Sequence, residues 1–224
     1  YPFDKIHLTE MYWDKSSTWY TDGTVDWPPG EGVGTHSFSV PDLTVIPVTP
    51  SPGELVWRYQ ASDLDRLLSS PNVANGIVFV GQHDGYLNAI DALTGDLVWR
   101  SNITPSSIQS SPTTVAGVVY ASSDSGYLYA LDALNGNLLW SYQIGPVGDT
   151  QDSSPVVVNG VVYVGSGDSY VYAIDADTGS LVWRYETGNP VQSTPTVANG
   201  VVYVGSNPYV YALDASTGNL AWRS

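Results

Sequence analysis

One spacing constrains this chain more than any other feature. Tryptophan recurs at positions 57, 99, 140, 183 and 222, at intervals of 42, 41, 43 and 39 residues. Each of the last four closes the same neighbourhood. Val201-Val202-Tyr203-Val204-Gly205-Ser206 is followed by Tyr209 to Asp214, then Ser216-Thr217-Gly218, then Trp222. The same order appears at Val161–Trp183, Val118–Trp140 and Ile77–Trp99, and each copy opens on Ser-Ser-Pro or Ser-Thr-Pro at 69–71, 110–112, 153–155 and 193–195. A repeat read before anything else decides the architecture, and about 40 residues is the length of a four-stranded propeller blade.

The local pattern agrees with that length. Every unit holds four short β-rich runs separated by Asn-Gly, Asp-Gly or Thr-Gly, the residues of tight hairpins. No stretch keeps a helical period. The Val-Val-Tyr-Val runs are apolar on both faces, as strands sandwiched between two neighbouring sheets must be. The small, polar Ser-Ser-Pro run suits the crowded innermost strand. The fold class expected is all-β, a β-propeller of four regular four-stranded blades plus a degenerate or partner-completed fifth blade, with an irregular N-terminal arm.

Within each unit the polar and aromatic residues have structural work. Asp91, Asp132, Asp175 and Asp214 stand three or four residues before a glycine, where a carboxylate accepts backbone N–H groups and fixes a turn. Gly95, Gly136, Gly179 and Gly218 supply the positive φ of that turn. Trp99, Trp140, Trp183 and Trp222 are large plates with one N–H, suited to wedge between adjacent blades, and Trp57 stands in the same context. All thirteen are therefore read as blade-docking residues.

The motif Ala-x-Asp-x-x-(Thr/Asn)-Gly-x-x-x-Trp, present as Ala89–Trp99, Ala130–Trp140, Ala173–Trp183 and Ala212–Trp222, resembles the tryptophan-docking repeat of the quinoprotein, or PQQ-like, propellers. The resemblance covers about residues 54–224. It implies the fold; function varies within such a family, which includes quinone-dependent alcohol dehydrogenases, an outer-membrane assembly lipoprotein and non-catalytic surface proteins. The dehydrogenases resemble eight-bladed rings that hold the quinone over calcium, often beneath a disulfide of adjacent cysteines, with an aspartate as base. This chain of 224 residues has no cysteine and shows four good repeats. A non-catalytic member without cofactor is expected, and a quinone-dependent dehydrogenase ranks third.

Other site chemistry is sparse. His7, His36 and His83 are scattered, without the spacing of a metal site or a triad. Gly30–Gly34 lacks the lysine of a phosphate loop, and Asp22–Asp26 lacks the further ligands of a calcium loop. Asp63 with Asp65, and Asp149 with Asp152, fall at equivalent connections as candidate cation ligands at one mouth, weighed against solvated loop charge. Asn102-Ile103-Thr104 is a glycosylation sequon, marking Asn102 if the chain is secreted in a glycosylating host.

The first 53 residues break the repeat. Three domains are drawn: an aromatic arm at 1–34, irregular strands and the outer strand of an incomplete blade at 35–60, and four blades at 61–224. The arm carries Tyr1, Phe3, Tyr12, Trp13, Trp19, Tyr20 and Trp27, the candidate assembly contacts. Strands are expected at Thr35–Val40 and Leu43–Val48, and Glu54–Gln60 copies the outermost blade strand. That last strand belongs to a fifth blade, completed either in cis or by a neighbouring copy through β-augmentation.

Composition narrows the partners. With 22 acidic against 7 basic residues the net charge is −15, which argues against nucleic acid and anionic membranes. No apolar run reaches the roughly 18 residues of a membrane helix. Charged residues are 13% against about 25% in an average domain. The Tyr-rich, Lys-poor surface this leaves fits a secreted or cell-surface protein, as does a start at Tyr1-Pro2-Phe3 after signal removal. The function expected is a structural or self-assembly module, a filament subunit whose partners are other copies. The alternative is a scaffold presenting a ligand, glycan or protein at the propeller mouth.

Overall fold

The computed structural model describes residues 54–61, 66–146 and 153–224 in full, and the backbone strands at 5–8 and 23–26. The chain divides into two compact units, Tyr1–Leu55 and Val56–Ser224. In the first, β1 (Lys5–Leu8) pairs antiparallel with β2 (Gly23–Asp26), Lys5 opposite Asp26. The arm aromatics, His36, Gly30–Gly34, the expected strands at 35–40 and 43–48, and the acidic pairs 63/65 and 149/152 lie outside the described residues.

The second unit is four antiparallel sheets of four strands each. Blade 1 is β3 (Asn72–Ala74), β4 (Ile77–Gly81), β5 (Tyr86–Asp91) and β6 (Leu97–Asn102). Blade 2 is β7 (Thr113–Val115), β8 (Val118–Ser123), β9 (Tyr127–Asp132) and β10 (Leu138–Gln143). Blade 3 is β11 (Val156–Val158), β12 (Val161–Gly165), β13 (Tyr170–Asp175) and β14 (Leu181–Glu186). Blade 4 is β15 (Thr196–Ala198), β16 (Val201–Ser206), β17 (Tyr209–Asp214) and β18 (Leu220–Arg223). Among the described residues there is no helix. The fold is an all-β propeller.

Sequence explains the first hairpin of each blade. Asn75-Gly76 has φ of 51° and 76°, and Asn159-Gly160 has 51° and 75°. Two successive positive values define the mirror-image turn whose twist matches antiparallel strands. Each outer strand then carries a bulge: Leu97 lies opposite Ile90 but Trp99 opposite Ala89, so Val98 is the extra residue. The same shift precedes Trp140, Trp183 and Trp222. It turns the indole onto the face looking toward the next blade, here called the leading face.

The core is built between blades. The leading face of blade 1 (Phe79, Leu87, Ala89) packs on Val119, Tyr129 and Leu131 of the trailing face of blade 2. Blades 2 and 3 meet through Tyr120 and Leu128 against Val162 and Ile174, and blades 3 and 4 through Tyr163 and Val171 against Val202 and Leu213.

Two expected strands differ. The Ser-Ser-Pro runs lie immediately ahead of the inner strands rather than within them. Proline has no N–H to give a ladder, and the serines bond elsewhere. Ser69, Ser110, Ser153 and Ser193 accept, through Oγ, the N–H groups of Gly81, Ser122, Gly165 and Gly205 at 2.7–2.9 Å. The next hydroxyl links blades: Ser111 Oγ accepts from Ser70 N–H, Ser154 Oγ from Ser111 N–H, and Thr194 Oγ1 from Ser154 N–H, at 2.9–3.2 Å. Residues 54–61, the second difference, form no strand. A strand needs a ladder partner, and among the described residues no ladder is formed with this segment.

Candidate functional site

Each blade-to-blade junction is a tryptophan in a socket made by the next blade's outer hairpin. Trp99 Nε1 donates to Ala133 O, Trp140 Nε1 to Ala176 O and Trp183 Nε1 to Ala215 O, each at 2.9 Å. The hairpin glycine forms the floor. A Cβ on Gly136 would stand 2.6 Å from the Trp99 ring, and one on Gly179 or Gly218 2.7 Å from Trp140 or Trp183. These glycines serve twice, since their φ of 70–72° also belongs to the left-handed region.

The aspartate ahead of each glycine holds the hairpin. Asp91 Oδ1 accepts the N–H groups of Leu93 and Thr94 at 2.8 and 2.9 Å, and Asp132 Oδ1 those of Leu134 and Asn135. Asp175 accepts both the N–H and hydroxyl of Thr178, and Asp214 both those of Thr217. The Asp91 carboxyl is held below the ordinary carboxylate value, first by the Thr94 N–H. Asp175 and Asp214 are lowered first by the Thr178 and Thr217 hydroxyls.

Trp57 occupies the same kind of socket, and among the described residues its segment belongs to no sheet. Its Nε1 donates to Ala92 O at 2.9 Å, and a Cβ on Gly95 would meet its side chain at 2.9 Å. Two residues on, Tyr59 Oη donates to Asn88 Oδ1 at 3.2 Å. Asn88 stands where the later blades carry Tyr129, Tyr172 and Tyr211. Sequence reasoning passed over this departure; its signal was one Asn in a column of tyrosines. Asn88 also donates to Gln82 Oε1 at 3.0 Å, and both side chains are fully buried. Arg100 closes this corner, 2.8 Å from Asp84 and stacked 3.6 Å over the Tyr86 ring.

Trp222 has no such socket among the described residues. It is 48% exposed and touches Tyr203 of its own blade at 6.1 Å, whereas Trp183 is 8% exposed. Val210 beside it is 46% exposed, although Leu87, Leu128 and Val171 in the same column are fully buried. Among the described residues, the leading face of blade 4 thus lacks the covering blade that the other three leading faces have. Asn102 is exposed on the outer strand of blade 1, with Thr104 of its sequon buried and bonded to Ser106 N–H and Ser123 Oγ. His83 is exposed, and no group of three metal-ligating side chains occurs among the described residues.

A family model described as outer membrane protein assembly factor BamB matches residues 13–154 and 147–224. The chain belongs to this PQQ-like family. Among solved structures, BamB from Moraxella catarrhalis aligns with TM-score 0.67 and 22% identity, over 76% of this chain and 56% of that one. Quinohemoprotein alcohol dehydrogenase ADHIIG from Pseudomonas putida HK5 aligns with TM-score 0.68 and 21% identity, over 76% of this chain and 36% of that one. The computationally designed Ika4 protein aligns at 17% identity and TM-score 0.62, over 72% of this chain and 98% of the design. The chain therefore spans little more than half of BamB and about a third of the dehydrogenase, but nearly all of the design. No curated sequence matches it. Among the described residues no helix is long and apolar enough to cross a membrane.

Proposed function

We propose that this PQQ-like propeller is a non-catalytic scaffold that binds protein edge-on and serves a structural, self-assembling role at a cell surface or in an extracellular polymer. The observation that carries the reading is the open leading face of blade 4. Tyr203, Val210 and Trp222 form an apolar, aromatic patch whose counterparts in every earlier blade are buried or half-buried. Exposed apolar surface backed by a rigid sheet is the mark of a protein contact.

Two further facts support it. The repeated aspartates are engaged in turns, and Trp57, Trp99, Trp140 and Trp183 in sockets, so their regular placement serves the scaffold. The family description names an outer-membrane assembly factor, which supports an extracytoplasmic setting alongside the low-lysine composition. In a self-assembling chain, copies joined in series make a filament, and the aromatic arm at 1–34 offers a second contact.

Light scattering on the full chain tests the reading. Association rising with concentration, and reduced in Val210→Glu, is the expected outcome. Deleting residues 1–34 measures the arm's share: folded monomers that retain Val210 would assign the contact to the arm and overturn the open-face reading. A quinone absorbance, or dye reduction by the purified protein, would overturn the non-catalytic one.

A further inference from the structure

We infer that the open face of blade 4 takes the trailing face of blade 1 of a second copy, with Trp222 entering the socket of Ala92 and Gly95 that Trp57 fills within the chain. The inference rests on the reading that this open face binds protein, and it specifies the partner surface.

Continuity is the first argument. The chain contains the interface three times, always leading face onto trailing face, with an indole N–H on an alanine carbonyl and the ring on a glycine. Five tryptophans follow this pattern in sequence, but the described residues make four sockets. Trp57, Trp99, Trp140 and Trp183 fill them, leaving Trp222 over.

The trailing face of blade 1 is also incompletely covered, at its inner end. Val73, opposite Val78 on this face, is 62% exposed, while Thr114, Val157 and Val197 in the same column are half-buried. Pro71 is exposed where Pro112, Pro155 and Pro195 are buried. The Trp57 segment imitates one outer strand, and Val73 of the inner strand stays exposed. A complete blade docked in its place covers both.

The polar groups match in direction. Along the Ser-Ser-Pro belt each blade donates an N–H to the hydroxyl of the next. Among the described residues this leaves the Thr194 N–H at the leading end and the Ser70 hydroxyl at the trailing end, a donor and an acceptor. A second copy supplies one to the other. The contact is heterologous, so it repeats rather than closes on itself as a symmetric pair does. Trp57 then acts as a tethered plug that competes with the incoming Trp222. Its indole and the Tyr59 phenol each hold one hydrogen bond on blade 1, and among the described residues no strand ladder accompanies them.

Complementation separates this geometry from any other use of the open face. Val210→Glu and Val73→Glu each place a charge at an exposed position, one on each proposed surface. Analytical ultracentrifugation should show each variant alone as monomer and dimer-blocked, and an equal mixture as a 1:1 dimer that grows no further. Trp57→Ala, or the gentler Trp57→Phe, should tighten association of the full chain by about tenfold, the scale of one lost competitor. Self-association that survives Val73→Glu but not Val210→Glu would overturn the head-to-tail geometry and leave the scaffold reading standing. Weaker association on removing the Trp57 ring would overturn the plug. Monomers throughout, including Trp57→Ala, would overturn both readings.

Discussion

At the scale of single residues, one carboxylate oxygen organises each docking hairpin, and its chemistry carries a pH signature. Asp91, Asp175 and Asp214 bind their proton less readily in the fold than in the unfolded chain, where the ordinary value is 3.8. A lowered folded value means that the stabilisation is complete above the ordinary carboxylate range and is lost as pH falls through the folded value. Asp214→Asn should therefore lower the melting temperature at neutral pH, and the gap from the parent chain should narrow on acidification below about pH 4, where the parent's own carboxylate takes up its proton. A gap unchanged from neutral to strongly acid pH would show that the negative charge contributes nothing at this turn. These aspartates were legible in the sequence because turn chemistry is local: carboxylate, threonine and glycine sit within five residues. Tyr59 and Asn88 were not legible. Their fit spans 29 residues, and only the docking of residues 54–61 on blade 1 brings the Tyr59 phenol to the column where a tyrosine is missing.

At the scale of elements, the unit of energy is the junction rather than the blade. The strands were legible because short β-rich runs, Asn-Gly turns and repetition all point the same way. The direction of packing was not, because it depends on the bulge that turns each tryptophan onto the leading face, and a bulge leaves little trace in composition. Nor did the sequence copy at 54–60 reveal that, among the described residues, its tryptophan docks without a ladder; a strand is defined by its neighbour. Direction makes the two ends unequal and gives a test. Trp183 is nearly buried, bonded to Ala215 O and packed 5.8 Å from Tyr163. Trp183→Ala should cost about 3–5 kcal/mol, a core truncation. Trp222→Ala removes a ring with no socket among the described residues and should cost about 1 kcal/mol or less in the monomer. Urea unfolding of the two variants checks the order, and equal losses would mean that the Trp222 face is covered within the chain.

At the scale of the whole molecule, the array of blades is polar in the sense of having two different ends, and it is also strongly acidic. In the proposed head-to-tail contact the ends attract through apolar area, while a net charge of −15 on each copy repels. Which effect governs association depends on range. Apolar contact acts at the face itself, whereas repulsion between whole copies acts over a Debye length, about 30 Å at 0.01 M salt and about 8 Å at physiological strength. Screening therefore removes the unfavourable part and leaves the favourable part intact. If copies join as proposed, the acidity that set aside nucleic acid as a partner becomes a control on their association. Raising sodium chloride from about 0.01 to 0.15 M should shift sedimentation of the full chain toward larger species. Val210→Glu should remain monomeric across the same range, because the added charge lies within the contact, where salt screens poorly. Dissociation of the parent chain on adding salt would mean that ion pairs hold the copies together. An apolar socket for Trp222 could not then be the main contact.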